Sequence, residues 1–247
     1  MTSQRAATGI VIDLEAFRGQ AAATGRSPSV PVLDTSEVRW FAEGLPPHPV
    51  VDWFTCGGMN ATLEERCDTY QLHRLHDIGV KRRSRTTLEV KVRRGIGDPL
   101  VVAPGLVAPF EEWRKWSPGV GDPMSPSADT PWIDVEKTVL TRTVSADHEV
   151  VGPAPHIDDT LSGCDVEIAA VTVAGVDAWS FAFEAFGPNP DRSRAVRSAW
   201  EMLISTSGAP EELSANLTSS GGYPEWLARI ASVLDHRSGS ERHRADS

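Results

Sequence analysis

The stretch that most limits how this chain can fold is Asp77 to Gly95, DIGVKRRSRTTLEVKVRRG. Its residues alternate in character with period two, as in a strand whose successive side chains leave opposite faces. The pattern predicts a hairpin of two strands joined by a polar turn around Ser84-Arg85. Lys81 and Arg83 point one way from the first strand and Arg82 the other. On the second strand Glu89, Lys91 and Arg93 share one face, and Leu88, Val90 and Val92 share the opposite face. One side of the hairpin is therefore apolar, and the other carries several cations and a carboxylate. An amphipathic sheet would turn that charged side to water. A closed barrel would turn it inward, where it can grip a polyanion.

The same alternation recurs along the chain. Ser36 to Gly44 is a strand with Glu37, Arg39, Phe41 and Glu43 on one face, and Leu45-Pro46-Pro47 ends it. Val50 to Thr55 forms a short helix or turn. Leu63 to Leu72 is a strand that sets Arg66, Asp68 and Tyr70 apart from Cys67 and Thr69. Residues 95–109 are punctuated by Gly and Pro and predict a loop. Phe110 to Ser117 is a strand with Glu111, Trp113 and Lys115 on one face. After a loop over 118–131, Trp132 to Val144 is β-branched and strand-like, with Lys137 and Arg142 on opposite faces unless a bulge intervenes. Residues 145–161 form a polar connection. Cys164 to Val173 and Trp179 to Phe186 predict a second hairpin, with Asp165, Glu167, Ser180 and Glu184 apart from an apolar face. The period then changes. Pro190 to Ser205 and Tyr223 to Leu234 carry apolar stripes at helical spacing, which predict contacts with the outer apolar face of the sheet. The result is a mainly β member of the α+β class: seven or eight antiparallel strands, then two helices. Periodicity alone leaves sandwich and barrel open.

Composition narrows the partners. The 247 residues carry a net charge of −10, so a general affinity for nucleic acid or an anionic membrane is not expected. No apolar run approaches the roughly 20 residues that span a bilayer, and the N-terminus lacks a basic region followed by an apolar core. Three cysteines, Cys56, Cys67 and Cys164, suggest neither a disulfide framework nor a zinc site, and a reducing cytoplasm is the expected location. His73 and His76 form an isolated H-x-x-H without further ligands nearby. Residues 1–35 read as a flexible leader with one apolar patch, Gly9 to Phe17; residues 36–234 read as a single domain, and 235–247 as a disordered tail.

Taken in order, EVRWF, RCDTYQL, GVKRR with LEVKVR, EEWRKWS, VEKTVLTRT, and CDVEIAAVTV with FAFEAFG resemble the CYTH-like family, the triphosphate tunnel metalloenzymes, over roughly Ser36 to Gly187. The resemblance implies a closed antiparallel eight-stranded tunnel with the C-terminal helices packed outside. Family members include triphosphatases, thiamine triphosphatases and class IV adenylate cyclases. Their strand-borne Arg and Lys hold the triphosphate, and their carboxylates hold Mg²⁺ or Mn²⁺.

Carried over by position, Lys81, Arg83 and Lys91 match phosphate-binding cations, Glu167 and Glu184 match acidic positions, and Lys137 or Arg142 matches a basic position between them. One departure stands at the first strand. The family's Glu-x-Glu-x-Lys is here Glu37-Val38-Arg39-Trp40-Phe41. A carboxylate exchanged for a cation weakens a divalent site, because hard cations want several oxygen ligands, while it favours an anion. The candidate anion-binding residues are thus Arg39, Lys81, Arg83, Lys91, Arg93, Lys115 and Arg142. The candidate metal ligands are Glu37, Glu167 and Glu184, for Mg²⁺ or Mn²⁺. No residue is assigned as a nucleophile, since no Ser-His-Asp, Cys-His or Gly-rich phosphate loop is present. Three readings follow. The barrel is a metal-assisted triphosphate hydrolase, a non-catalytic binder of a small triphosphate-containing anion, or an interaction module with a self-neutralised interior.

Overall fold

The computed structural model describes residues 32–56, 61–72, 75–84, 86–117, 131–145, 150–151, 162–205 and 207–233. The leader up to residue 31, His73, Arg85, most of the two loops at 118–131 and 145–161, and the tail at 235–247 lie outside the described residues.

The strands are β1 (Val32–Glu43), β2 (Thr62–Gln71), β3 (Ile78–Arg83), β4 (Thr87–Ala103), β5 (Leu106–Trp116), β6 (Trp132–Ser145), β7 (Val150–Val151), β8 (Gly163–Val173), β9 (Val176–Phe186) and β10 (Ser219–Ser220). The helices are α1 (His48–Cys56), α2 (Asn189–Ile204), α3 (Glu211–Asn216) and α4, residues 223–233. Pairing runs β1–β5–β4–β3–β2–β6–β8–β9 and returns to β1, so eight antiparallel strands close into a barrel. β1 makes the closure: Val32 to Glu37 pair with β5 on one side, and Thr35 to Glu43 pair with β9 on the other. Where β5 leaves β1, β10 takes its place, with Trp40 opposite Ser220. A closed sheet exposes no long edge for another chain to pair with.

Strand register decides which face looks inward. Glu37 lies opposite Glu111 on β5 and Glu184 on β9. Glu167 lies opposite Ala182 and Thr141, Arg66 opposite Lys137, Tyr70 opposite Lys81, and Lys81 opposite Glu89. The charged positions of successive strands thereby fall on one continuous inner face, and the alternating apolar positions fall outside, apart from an inward cluster around Phe41, Val139 and Val171. On the outside Val38, Trp40, Phe181 and Phe183 pack against Val196, Ala199, Trp200 and Leu203 of α2 and Phe54 of α1. Each of the Val, Leu and Phe side chains among them contributes on the order of 1.5–3 kcal/mol by leaving water.

Four features differ from the sequence expectation. β1 begins at Val32, because its first residues pair with the end of β5. Apart from a tight turn at Pro104-Gly105, residues 95–109 form strand rather than loop: irregularities between Arg93 and Gly95, Gly97 and Leu100, and Val101 and Ala103 absorb the Gly and Pro pattern within the β4–β5 ladder. α3 and β10 lie between the two expected helices.

The last difference concerns α4. α2 covers the outer face, whereas α4 lies across one end of the barrel. Its Trp226 stacks on the inward-facing Phe41 at 4.7 Å, and Trp226 and Leu227 cluster with Val139, Ala169 and Val171. Gly221 sets the entry to this helix. Its φ of +135° is a conformation that side chains rarely adopt, and its N–H donates to the Arg39 carbonyl at 3.0 Å.

Candidate anion-binding site

Inside the barrel the ionic side chains are segregated by strand. On β3, β4 and β5 the inward cations Lys81, Arg83, Lys91, Arg93 and Lys115 outnumber the carboxylates Glu89 and Glu111. On β8 and β9 the inward charges are Asp165, Glu167 and Glu184, and these strands carry no Lys or Arg. Arg39, Arg66 and Lys137 stand on the walls between them. A cavity of about 200 Å³ separates the two sides, and Tyr70, Trp113 and Tyr223 contribute rings to its lining.

Most of the charges are paired. Arg39, 6% exposed, donates from Nε to Glu37 at 2.6 Å and from Nη1 to Glu167 at 2.7 Å and Ser180 at 3.1 Å. Its guanidinium carbon lies 4.9 Å from the centre of the Tyr223 ring, a cation–π contact. Lys91 donates to Glu37 and lies 3.5 Å from Glu184. Arg93 donates to Glu111 at 2.6 Å. Asp68, fully buried, accepts from Arg66 at 3.2 Å and lies 3.4 Å from both Lys81 and Lys137. Arg66 and Arg83 also bond Glu64. Lys137 donates to the Tyr70 hydroxyl at 2.7 Å, with its ammonium 3.7 Å from the Tyr223 ring centre.

The cationic side is less completely neutralised. Glu89 receives Lys81 at 3.1 Å, Lys115 at 3.6 Å and Arg83 at 4.0 Å. Among the described residues Glu89 is the one carboxylate that forms an ion pair with Lys115. Burial would raise the Glu89 carboxyl, but the charges of Lys81 and then Lys115 overcome it and hold it at about 2. Burial pushes the Lys115 ammonium below its ordinary range, and Glu184 and Glu89 offset it only in part. Burial likewise lowers Lys137. Both lysines therefore stand where a further negative charge would stabilise their protonated forms.

Of the residues marked from sequence, Arg39, Lys81, Arg83, Lys91 and Lys115 line the cavity with Glu37, Glu167 and Glu184. Arg93 lies on the same face outside the cavity lining, bonded to Glu111 beside Trp113. Arg142 is the exception. It sits on the outward side of β6, opposite Val166, 2% exposed, with its guanidinium 5.1 Å from the Phe54 ring centre. β6 carries no bulge between 137 and 142, so the odd separation holds and Lys137 is the inward residue.

Sequence reasoning left three further contributors unassigned. Asp68 and Arg66 were legible as the inward set of β2. Tyr223 was not, because its place follows from where α4 docks rather than from local pattern.

The three marked carboxylates do not form an open cage for a divalent ion. The Arg39 guanidinium lies between Glu37 and Glu167, and Lys91 lies between Glu37 and Glu184, so cations of the chain already occupy the space among these oxygens. Among the described residues no other group of His, Cys, Asp and Glu is arranged to hold a metal.

Fold and site together define a closed antiparallel barrel with an ion-paired, charge-segregated interior. No protein-family model matches the chain, and no curated protein is significantly similar to it. Cys164 is a buried free thiol, and no helix among the described residues is long and apolar enough to cross a membrane.

Proposed function

We propose that the barrel interior binds a small polyanion of the triphosphate type, and that the chain is a divergent CYTH-like protein. One observation carries the reading. Lys115 faces Lys91 directly across the β4–β5 ladder, inside the barrel, and Glu89, the one carboxylate paired with Lys115 among the described residues, is shared with Lys81 and Arg83. Like charges placed opposite each other are unfavourable, and an anion lying against this wall removes the repulsion through charge-assisted hydrogen bonds. The cavity, at about 200 Å³, is smaller than the roughly 300–1,000 Å³ of sites that enclose drug-sized molecules. It suits a phosphate chain whose organic part, where there is one, stays at the mouth.

The test is calorimetry with tripolyphosphate, ATP and thiamine triphosphate, with phosphate release followed in the same samples. Saturable binding of at least one ligand is expected. Turnover in addition would make the barrel a hydrolase, and binding without turnover a carrier or sensor. Folded protein that binds none of the three would sink the reading.

The extensive pairing of Arg39, Lys91 and Asp68 favours a second reading, a self-neutralised interaction module. In that case replacing Lys115 changes stability and no ligand contact.

A further inference from the structure

We infer that Arg39 is a built-in substitute for a divalent cation, so that the cavity takes its anion without Mg²⁺ or Mn²⁺. The inference rests on the anion-binding reading above and adds the means by which the acidic wall is kept compatible with it. Glu167 and Glu184 project from strands that carry no cation, and Glu37 faces Glu184 across the β1–β9 ladder. Left alone, these carboxylates would repel any polyanion entering the cavity, and a bound divalent ion is one way to neutralise them. Here the chain does so itself. The Arg39 guanidinium bonds Glu37 at 2.6 Å and Glu167 at 2.7 Å, and Lys91 spans Glu37 and Glu184.

Arg39 is held too firmly to give way. Ser180 accepts from it at 3.1 Å, the Tyr223 ring lies against it, and it is buried on β1 between β9 and β10. A guanidinium does not deprotonate in a protein, so an incoming metal ion would have to displace a full charge from its partners.

The test uses the full chain stripped with EDTA. Calorimetry with sodium tripolyphosphate is expected to show binding in the presence of the chelator, and added Mg²⁺ should not tighten it. Arg39→Glu places a fourth carboxylate where the guanidinium lay. This variant is expected to lose about tenfold or more in affinity in EDTA and to recover it with Mn²⁺. Mn²⁺ titration followed by electron paramagnetic resonance should show a protein-bound ion in Arg39→Glu and none in the wild type.

Wild-type binding that requires Mg²⁺ would overturn the role given to Arg39 and leave the anion site standing. Wild type that binds tripolyphosphate under neither condition would overturn the anion site itself. A folded Arg39→Glu that acquires no Mn²⁺ would show that Arg39 does not hold a cation's place. Should that variant fail to fold by circular dichroism, the wild-type Mn²⁺ titration decides, and a stoichiometric Mn²⁺ site overturns the inference.

Discussion

Lys91 and Lys115 stand directly opposite each other across the β4–β5 ladder, yet their ammonium groups are pushed in opposite directions. Both are opposed by burial. For Lys91 the charges of Glu184 and Glu37 outweigh it and raise the group. For Lys115 the charges of Glu184 and Glu89 do not outweigh it, and the neighbouring Lys81 and Lys91 add to the deficit. The difference marks Lys115 as a cation the fold leaves incompletely satisfied. Replacing it with Met should leave stability unchanged or raise it by about 0.5 kcal/mol, since an opposed like-charge pair is removed. Tripolyphosphate affinity should fall about tenfold, and Lys115→Arg should retain it. Urea unfolding and calorimetry on the same samples check both parts.

The lowered lysines also set a pH dependence. In the folded state Lys115 and Lys137 lose their protons below the ordinary 10.5, so their charged forms cost stability at neutral pH; that cost is full below their folded values and fades as pH rises from there to the ordinary 10.5. A bound anion stabilises the charged forms and raises those values. Binding should therefore take up protons in the alkaline range and weaken as pH climbs toward about 10. Calorimetry at about pH 9 in two buffers of different ionisation enthalpy should show net proton uptake on binding. Equal apparent enthalpies in the two buffers would contradict it.

Glu89 makes the complementary prediction at the acid end. Its folded value of about 2 lies below the ordinary 4.5. The stability it contributes is thus fully present above about pH 4.5 and is lost as pH falls through about 2. Urea unfolding at a series of pH values should show Glu89→Gln less stable than the wild type at pH 7, with the gap closing toward about pH 2.

Lys137 and Arg142 separate the inside of the barrel from the outside. Lys137→Met removes a cation from the cavity beside Asp68 and Tyr70 and should weaken tripolyphosphate binding about tenfold. Arg142→Met acts on the far side of β6 and should leave the affinity within about twofold. The reverse ranking would show that β6 is turned the other way in solution.

Trp226→Ala tests the closed end. Trp226 stacks on Phe41 and meets the Tyr223 ring edge-on, so the truncation should cost roughly 3–5 kcal/mol, as large-to-small changes of buried aromatics do. Because Tyr223 touches both Arg39 and Lys137, loosening α4 should weaken anion binding as well. A variant of unchanged stability in urea would show that α4 does not seal the barrel.

The strands and their charged faces were readable from the chain, since period-two alternation is written in the residues themselves. Lys81, Arg83, Glu89 and Lys91 fell on one face of the hairpin at 78–103 and lie together in the barrel. Where the pattern was broken by Gly and Pro, as at 95–109, reading failed: bulges keep a strand paired despite irregular spacing, and only the partner strand reveals this. The choice between sandwich and barrel also lay outside local pattern, because alternation says that two faces differ and not where each one points. Closure of β1 onto both β5 and β9 decided it. The same closure decided the chemistry. Arg39 in sequence is one cation on a strand; folding brings it between Glu37 and Glu167, and Glu167 is 128 positions away. Residue types and strand periodicity are local and so belong to the sequence, whereas ion pairing across a barrel depends on long-range register, which only the tertiary structure sets.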